Sequence, residues 1–352
     1  MPSPATTSTA ALHDRLLAWI RGHDGGFGSF EDAAAAVFRH QYEHNMPYRR
    51  YWDALGVAPP GESFHWRAAP ALPTDCFKET TLPPRAFPAE EARRVFLTSG
   101  TTRDVRGRHE FTTLDLYETS IREGWRQLGL PAITNPWFLS PPATTTPESS
   151  LGHMFATLGE GFGNRWLMDA SGVPALSPLA ATTAPAGLFS TSIALFRMME
   201  NHPPIALPAG SWIFETGGPK GLSITLDPTG FHDRIATHFS IPRDRVLNEY
   251  SMTELSSQFY RWSGETAHRG PRWTRIRVID PETHRPAADG RPGYLEIIDL
   301  ANLGSVAAIR TQDLAIATGE NTFQLLGRDP AALPRGCSRA ADNLWRRQIS
   351  PT

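Results

Sequence analysis

The chain has 352 residues and a formal charge of -2, with 34 Lys and Arg against 36 Asp and Glu. That balance excludes the basic excess of a general nucleic-acid or membrane-surface binder, and the length allows a large core that needs no disulfides. No apolar run approaches the roughly 18 residues of a membrane span, and the opening MPSPATTSTA lacks the basic and apolar regions of a secretory signal.

These features, with only Cys76 and Cys337 as thiols, predict a cytoplasmic protein whose cysteines stay free in a reducing compartment. The 31 prolines and 29 glycines predict loops and short elements in place of long bundles. Residues 1–10, small and polar, are expected to be a disordered tail. Apolar residues at helical spacing follow, first Leu12, Leu16, Leu17 and Ile20, then the run from Phe30 to Tyr42. Tyr48, Tyr51 and Trp52 read as core aromatics. The stretch from Pro70 to Lys78 predicts a loop entering a short helix capped by Thr74 or Asp75, with Cys76 as a small buried hydrophobe.

Val95-Phe96-Leu97 then runs into Thr98-Ser99-Gly100-Thr101-Thr102. A β-prone run ending in hydroxyls and glycine is a turn where backbone N–H groups and side-chain oxygens converge on an anion, although such clusters are also ordinary turns. Arg103, Arg106, Arg108 and His109 follow closely, and arginine forks suit phosphate oxygens. Further on, Leu114, Leu116, Ile121, Trp125 and Leu128 mark a helix, and Asn135 to Ser140 a buried strand stopped by Pro141-Pro142. Ser149 or Ser150 caps the next helix, with His153 in its first turns. Trp137, Phe138, Phe155, Phe162 and Trp166 either line an apolar pocket or fill the core, and core is the favoured reading.

Ile193 to Met199 reads as a helix and Trp212-Ile213-Phe214 as a buried strand leading into Glu215-Thr216-Gly217-Gly218-Pro219-Lys220-Gly221. Paired glycines let backbone approach a flat or charged ligand. Val246-Leu247-Asn248-Glu249-Tyr250-Ser251-Met252-Thr253-Glu254 repeats the plan as a strand, a polar turn, then a helix with Glu254 near its start. Three strands ending in polar loops suggest a site beyond the carboxyl ends of an open α/β sheet. From residue 271 the pattern changes: Thr274 to Asp280 and Gly293 to Asp299 alternate polar and apolar, and Val306 to Arg310 is β-prone. These predict an antiparallel meander with one wet face, in which Thr311-Gln312-Asp313-Leu314 ends a run and Leu325-Leu326-Gly327-Arg328-Asp329 closes the last strand. The expected organisation is a tail (1–10), an α/β region (11–270), a small β-rich part (271–330) and a C-terminal tail (331–352).

Taken in order, these motifs resemble the adenylate-forming enzymes, which activate carboxylic acids with ATP. TSGTT is similar to the phosphate loop of that superfamily, ETGGPKG to its adenine loop, NEYSMTE to its aromatic-to-glutamate motif, RTQD to its ribose-binding aspartate and LLGRD to its hinge. Within the superfamily the chain looks most like the LuxE-type acyl-protein synthetases, through LPTDCFKE, SSLGHMF and an RGCS placed near the end. The resemblance spans roughly residues 40–345. It implies an α/β fold with mixed sheets flanked by helices plus a smaller antiparallel β portion, and a C-terminal lid that is absent or vestigial.

The resemblance further implies that Thr98, Ser99, Gly100, Thr101 and Thr102 hold the β- and γ-phosphates. Gly217, Gly218 and Pro219 would lie along the adenine, with Tyr250 stacked on or beside it and Ser251 in the same nucleotide loop. Glu254 would hold Mg²⁺, Asp313 the ribose hydroxyls, Arg328 ribose or phosphate, and His153 would sit near the acyl carboxylate. Cys337, flanked by Arg335 and Arg339, would take the acyl group as a thioester and pass it to a partner such as an acyl-reductase. A fatty acid is the family's default substrate. Alternatives are transfer to coenzyme A or an amine, and an inactive nucleotide-binding scaffold. Two departures stand out: Arg103 to Arg106 replace the usual glycine and lysine of the phosphate loop, and no lysine occurs after Lys220, so the superfamily's lid lysine is missing.

Overall fold

Ser8 opens the first helix: its hydroxyl accepts from the Ala11 amide at 3.3 Å, and the helix runs Thr9–Arg21 until Gly22 turns left-handed at φ 74°. This helix thus begins inside the stretch expected as a tail. This computed structural model describes residues 8–79, 83–98, 105–218 and 228–329. The chain forms two compact units, one from Met1–Gly124, Thr253–Ser257 and Gly270–Thr352, the other from Trp125–Met252 and Gln258–Arg269.

In the first unit, helices Thr9–Arg21, Phe30–His44 and Met46–Ala54 turn their apolar stripes inward. Ser29 caps the second: its hydroxyl accepts from Asp32 N at 3.1 Å, satisfying one orphan donor of the first turn, and donates to the Asp32 carboxylate at 2.7 Å. Leu16, Val37, Phe38, Tyr48, Trp52 and Trp66 pack there with Trp273, Ile298 and Val306. Tyr48 and Trp52 are fully enclosed, as read from the sequence. Burying each large side chain contributes about 1.5–3 kcal/mol before entropy is counted.

The expected meander is present: Thr274–Ile279, Gly293–Asp299, Ala308–Gly319 and Thr322–Arg328 pair antiparallel in succession. Along Thr274–Ile279, buried and half-buried residues alternate, which is the one-wet-face pattern. Two details differ. The third strand continues through Thr311–Leu314 to Gly319, because Asp313 and Leu314 remain paired with Arg328 and Gly327 across the ladder. The Thr74–Lys78 turn is a 3₁₀ helix preceded by Pro73, with no side-chain cap; Asp75 instead pairs with Lys78 at 2.5 Å. Cys76 is buried, as expected of a small hydrophobe.

In the second unit the strands lie in the order His268–Arg269, Phe259–Trp262, Val246–Tyr250, Trp212–Thr216, Gly187–Thr191, Pro136–Leu139. The last four are mutually parallel and the first two antiparallel. Trp212–Thr216 is buried at every position, as strands covered on both faces are. Helices Ser150–Leu158, Ser192–Asn201 and Pro228–Phe239 accompany them. Phe138, Phe155, Phe189 and Phe214 interlock with ring centroids 5.1 to 5.7 Å apart. Phe138 and Phe155 are therefore core; Trp166, half-buried, stacks on Phe138 at 5.0 Å. The architecture is mixed α/β with helices about the sheet and an antiparallel β portion, as the sequence predicted. No helix among the described residues is long and apolar enough to cross a membrane.

Candidate functional site

The strand ahead of the hydroxyl-rich turn is not a member of the parallel sheet. Arg94–Leu97 pairs antiparallel with Arg108–Phe111 in a hairpin of the first unit. Of the three strand-to-loop junctions, only the other two share an open sheet. At the hairpin's end, Thr98 N donates to the Gly107 carbonyl at 2.9 Å, and Thr98 Oγ1 accepts from Gly107 N at 2.8 Å. A Cβ on Gly107 would lie 2.9 Å from the Thr98 methyl, so glycine is required for this close approach. Ser99, Gly100, Thr101 and Thr102 lie outside the described residues, as do Pro219 and Cys337.

Three of the basic residues read as phosphate partners have other bonds. Arg106 uses its guanidinium on backbone, donating to the carbonyls of Thr98 at 2.7 Å and Leu97 at 3.2 Å. His109 is a correction: it is buried to 2% exposure, and that burial lowers its pKa to about 4, so it is a neutral imidazole and not a cation. Its Nδ1 donates to the Thr253 carbonyl at 2.8 Å and its Nε2 accepts from the Ser305 hydroxyl at 2.9 Å. Arg108 remains at the surface and pairs with Glu110 at 3.1 Å.

In the second unit, Trp212–Thr216 ends at Gly217 and Gly218, whose φ values of 88° and 59° are accessible to glycine at little cost. A network missed by sequence reading lies beneath them. Glu215, 3% exposed, accepts from Ser192, Asn248 and His232, the last at 3.1 Å. Ser263 donates to His232 Nδ1 at 2.9 Å, and His268 Nε2 donates to Asn248 Oδ1 at 2.6 Å. Burial lowers the pKa of His268 to about 3, so it too is neutral. Thr216 donates to the carboxyl of Glu249 on the neighbouring strand. Burial raises the Glu249 pKa to about 7, against the opposing effect of hydrogen bonds from Ser251 and Thr216. The sequence signal was available in charge: Glu215 and Glu249 are carboxylates inside strands buried at every or nearly every position.

Val246–Tyr250 delivers Tyr250, 9% exposed, whose ring meets His268 edge-on at 6.0 Å. Ser251 is half-buried just beyond it. No helix follows, against expectation. The chain turns through Thr253–Ser257 and returns as the antiparallel strand Phe259–Trp262, with Glu254 on the turn at 8% exposure. The turn replaces the helix because side chains of the first unit satisfy its backbone. Asn302 Nδ2 donates to the Glu254 carbonyl at 2.8 Å, and Asp299 Oδ2 accepts from both Ser256 N and Ser257 N at 2.8 Å. Burial holds the Asp299 pKa up, at about 6.

Asp313 stands within the Ala308–Gly319 strand opposite Arg328, where the register shifts at Leu314 and Gly327 adopts φ 111°. Its amide donates to Thr311 Oγ1 at 3.1 Å, and the Arg328 guanidinium reaches Gln312. His153 lies in the first turns of Ser150–Leu158, capped by Ser149 accepting from Gly152 N at 3.0 Å. Thr98, Glu254, Asp313 and Arg328 thus fall in the first unit, and His153, Gly217, Gly218, Tyr250 and Ser251 in the second.

The donor set bears on the metal. Among the described residues there is no cluster of three or more His, Cys, Asp or Glu able to cage an ion. A single hard carboxylate on a fixed turn, Glu254, fits Mg²⁺, which takes one or two carboxylates and completes its shell with phosphate oxygens and water.

The family model "Acyl-protein synthetase, LuxE" matches residues 184–344. A long-chain-fatty-acid–luciferin-component ligase of Aliivibrio fischeri is 25% identical over 145 residues, 38% of each chain. The ligase of that name from Vibrio harveyi is 22% identical over 338 residues, covering 86% of this chain and 84% of its own. The first of these alignments spans well under half of the relative's length, the second most of it. Among solved structures, 2-hydroxyisobutyryl-CoA ligase with 2-HIB-AMP and CoA superimposes with a TM-score of 0.62 at 18% identity, covering 84% of this chain and 73% of its own. The same ligase in its postadenylation state with 2-HIB-AMP gives 0.64 at 18% identity, over 85% and 67%. The fold of the adenylate-forming ligases and the likeness to LuxE-type acyl-protein synthetases, both expected from the motifs, are borne out.

Proposed function

Starting from a chain with the fold of the adenylate-forming ligases and the LuxE match over residues 184–344, we propose that it is an ATP-dependent acid–thiol ligase. It activates a carboxylic acid, of the fatty class named for its relatives, as the acyl-adenylate, and passes the acyl group through Cys337 to an acceptor protein. The agreement between the family match and the fold of a ligase solved with an acyl-adenylate is the observation that carries this reading.

A carboxylate is a poor electrophile. Attack of its oxygen on the α-phosphorus of ATP expels pyrophosphate and leaves a mixed anhydride whose AMP departs readily. The protein's contribution is placement and charge neutralisation. In this reading Gly217, Gly218 and Pro219 flank the adenine, with Tyr250 and Ser251 beside it. Asp313 accepts from the ribose hydroxyls, and Arg328 donates to ribose or phosphate. The Thr98-to-Thr102 turn holds the β- and γ-phosphates, and Glu254 holds Mg²⁺, which when bound neutralises phosphate charge. His153 orients the acyl carboxylate. Attack of the Cys337 thiolate on the acyl carbon then releases AMP and stores the acyl group as a thioester.

Incubation with ATP, Mg²⁺ and labelled acids of graded chain length, followed by peptide mass analysis, tests this. The expected product is a hydroxylamine-labile acyl group on Cys337. Acyl transfer to coenzyme A or an amine by a Cys337→Ser variant, as fast as by the wild type, would instead assign the transfer to a diffusible acceptor.

A further inference from the structure

The turn that carries Glu254 is held by an unusual number of side chains. Its backbone has no helix or sheet ladder of its own, yet Glu254, Leu255, Ser256 and Ser257 are all buried. Buried backbone groups must find partners, and here side chains from distant parts of the first unit supply them. The Thr253 carbonyl is held by His109, the Glu254 carbonyl by Asn302, and the Ser256 and Ser257 amides by Asp299. The two serine hydroxyls are also fixed, Ser256 to Asn302 Oδ1 at 2.5 Å and Ser257 to Asp299 Oδ1 at 2.7 Å.

Each holder is itself oriented. Ser305 donates to His109 Nε2, which leaves Nδ1 as the protonated nitrogen aimed at Thr253. Phe77 and Phe111 pack on the imidazole with centroids at 5.6 and 4.1 Å. Gln41 donates to the Asn302 carbonyl at 2.8 Å and accepts from Ala307 N at 3.0 Å, which fixes the loop bearing Asn302 and Ser305.

We propose that His109 is a positioning residue for Glu254: through the Thr253 carbonyl it sets the backbone from which the metal-holding carboxylate is presented. A ligand carboxylate works only if its approach is fixed; hydrogen bonds made directly to metal-ligating side chains commonly change affinity by about 10–100-fold when removed, and a bond to the backbone beside the ligand acts in the same sense with a smaller effect. His109 touches neither nucleotide nor metal; it acts through the turn. The inference rests on the functional reading above, and its test separates the two.

Binding of ATP to the purified full chain is measured by calorimetry with Mn²⁺, and again in EDTA, while electron paramagnetic resonance follows the bound Mn²⁺. His109→Phe keeps the ring and its packing but removes both hydrogen bonds. It is expected to weaken Mn²⁺-dependent ATP binding at least fivefold and broaden the Mn²⁺ signal, with binding in EDTA changed less than twofold. His109→Asn, whose Nδ2 stands where Nδ1 does, should recover binding to within threefold. Should His109→Phe fail to fold, Ser305→Ala removes only the hydroxyl that selects the imidazole tautomer, and a two- to threefold loss confined to metal-dependent binding is expected. Equal losses with and without metal, or none in either, overturn the inference. A wild-type protein that binds no ATP in the presence of Mn²⁺ overturns the functional reading, and this inference with it.

Discussion

His109 shows how one residue changes meaning between sequence and structure. Beside Arg106 and Arg108 it reads as part of a cationic anion site, but in the fold it is enclosed and neutral and bonds the Thr253 carbonyl. Sequence adjacency cannot report this, because packing from other parts of the chain buries the middle of Arg108–Phe111 on both faces while its ends stay half-exposed. Glu249 is a second case, and its burial makes a prediction about pH. Its carboxyl titrates near 4.5 when exposed and about 7 in the folded chain, so between those values the folded state binds a proton that the unfolded state releases. Stability therefore falls as pH rises through that window, and the deficit persists above it. Glu249→Gln keeps an acceptor for Thr216 and removes the charge. Its melting temperature should match the wild type near pH 4.5 and exceed it at pH 8, by an amount corresponding to about 3 kcal/mol. Equal pH profiles for the two proteins, measured by calorimetry, would contradict this. At Asp313 the prediction concerns activity: Asp313→Ala should raise the KM for ATP at least tenfold and leave the KM for the acid within twofold, as steady-state kinetics would show.

At the scale of elements, the periodic segments were legible. Phe30–His44, Asp115–Gln127, Ser192–Asn201 and Trp212–Thr216 were read close to their observed bounds, because their apolar spacing is set by burial alone. What escaped was decided by partners distant in the chain. The segment after Tyr250 has polar residues of the kind that open helices, but Asp299 takes the Ser256 and Ser257 amides and makes the turn the better solution. Asp299→Asn would set an NH₂ group where an acceptor is needed, among the donors Ser256 N, Ser257 N, Ser257 Oγ and Ala301 N. The expected loss is about 2–4 kcal/mol in urea unfolding, and a change under about 0.5 kcal/mol would contradict it. The glycine junction is tested in the same way. Among the described residues nothing lies within 4 Å of a Cβ added at Gly217 or Gly218, so alanine there meets the strain of a positive φ. The double variant is predicted to lose about 1–2 kcal/mol of stability and to weaken ATP binding severalfold.

Across the whole molecule, the class was readable and the interleaving was not. The alternation after residue 271 marked the meander, and buried apolar strands alternating with helices marked the α/β part. Nothing local assigns Thr253–Ser257 to the residues before Gly124 and after Gly270, since that membership is made by His109, Asp299 and Asn302. The candidate nucleotide residues were visible for the opposite reason. Gly217 and Gly218 stand out locally, as paired glycines that take positive φ, whereas Glu254 and Asp313 were marked by the resemblance of their short motifs to those of the adenylate-forming enzymes. The lack of any lysine after Lys220 poses the main question for this chain, because it asks whether the adenylation half-reaction proceeds at all. Acid-dependent exchange of labelled pyrophosphate into ATP measures that half-reaction alone, independently of Cys337 and of any acceptor. The account predicts exchange that requires both Mg²⁺ and a carboxylic acid, survives Cys337→Ser and is lost with Glu254→Ala. Folded wild-type protein giving no exchange with any acid across short, long and aryl classes would contradict it.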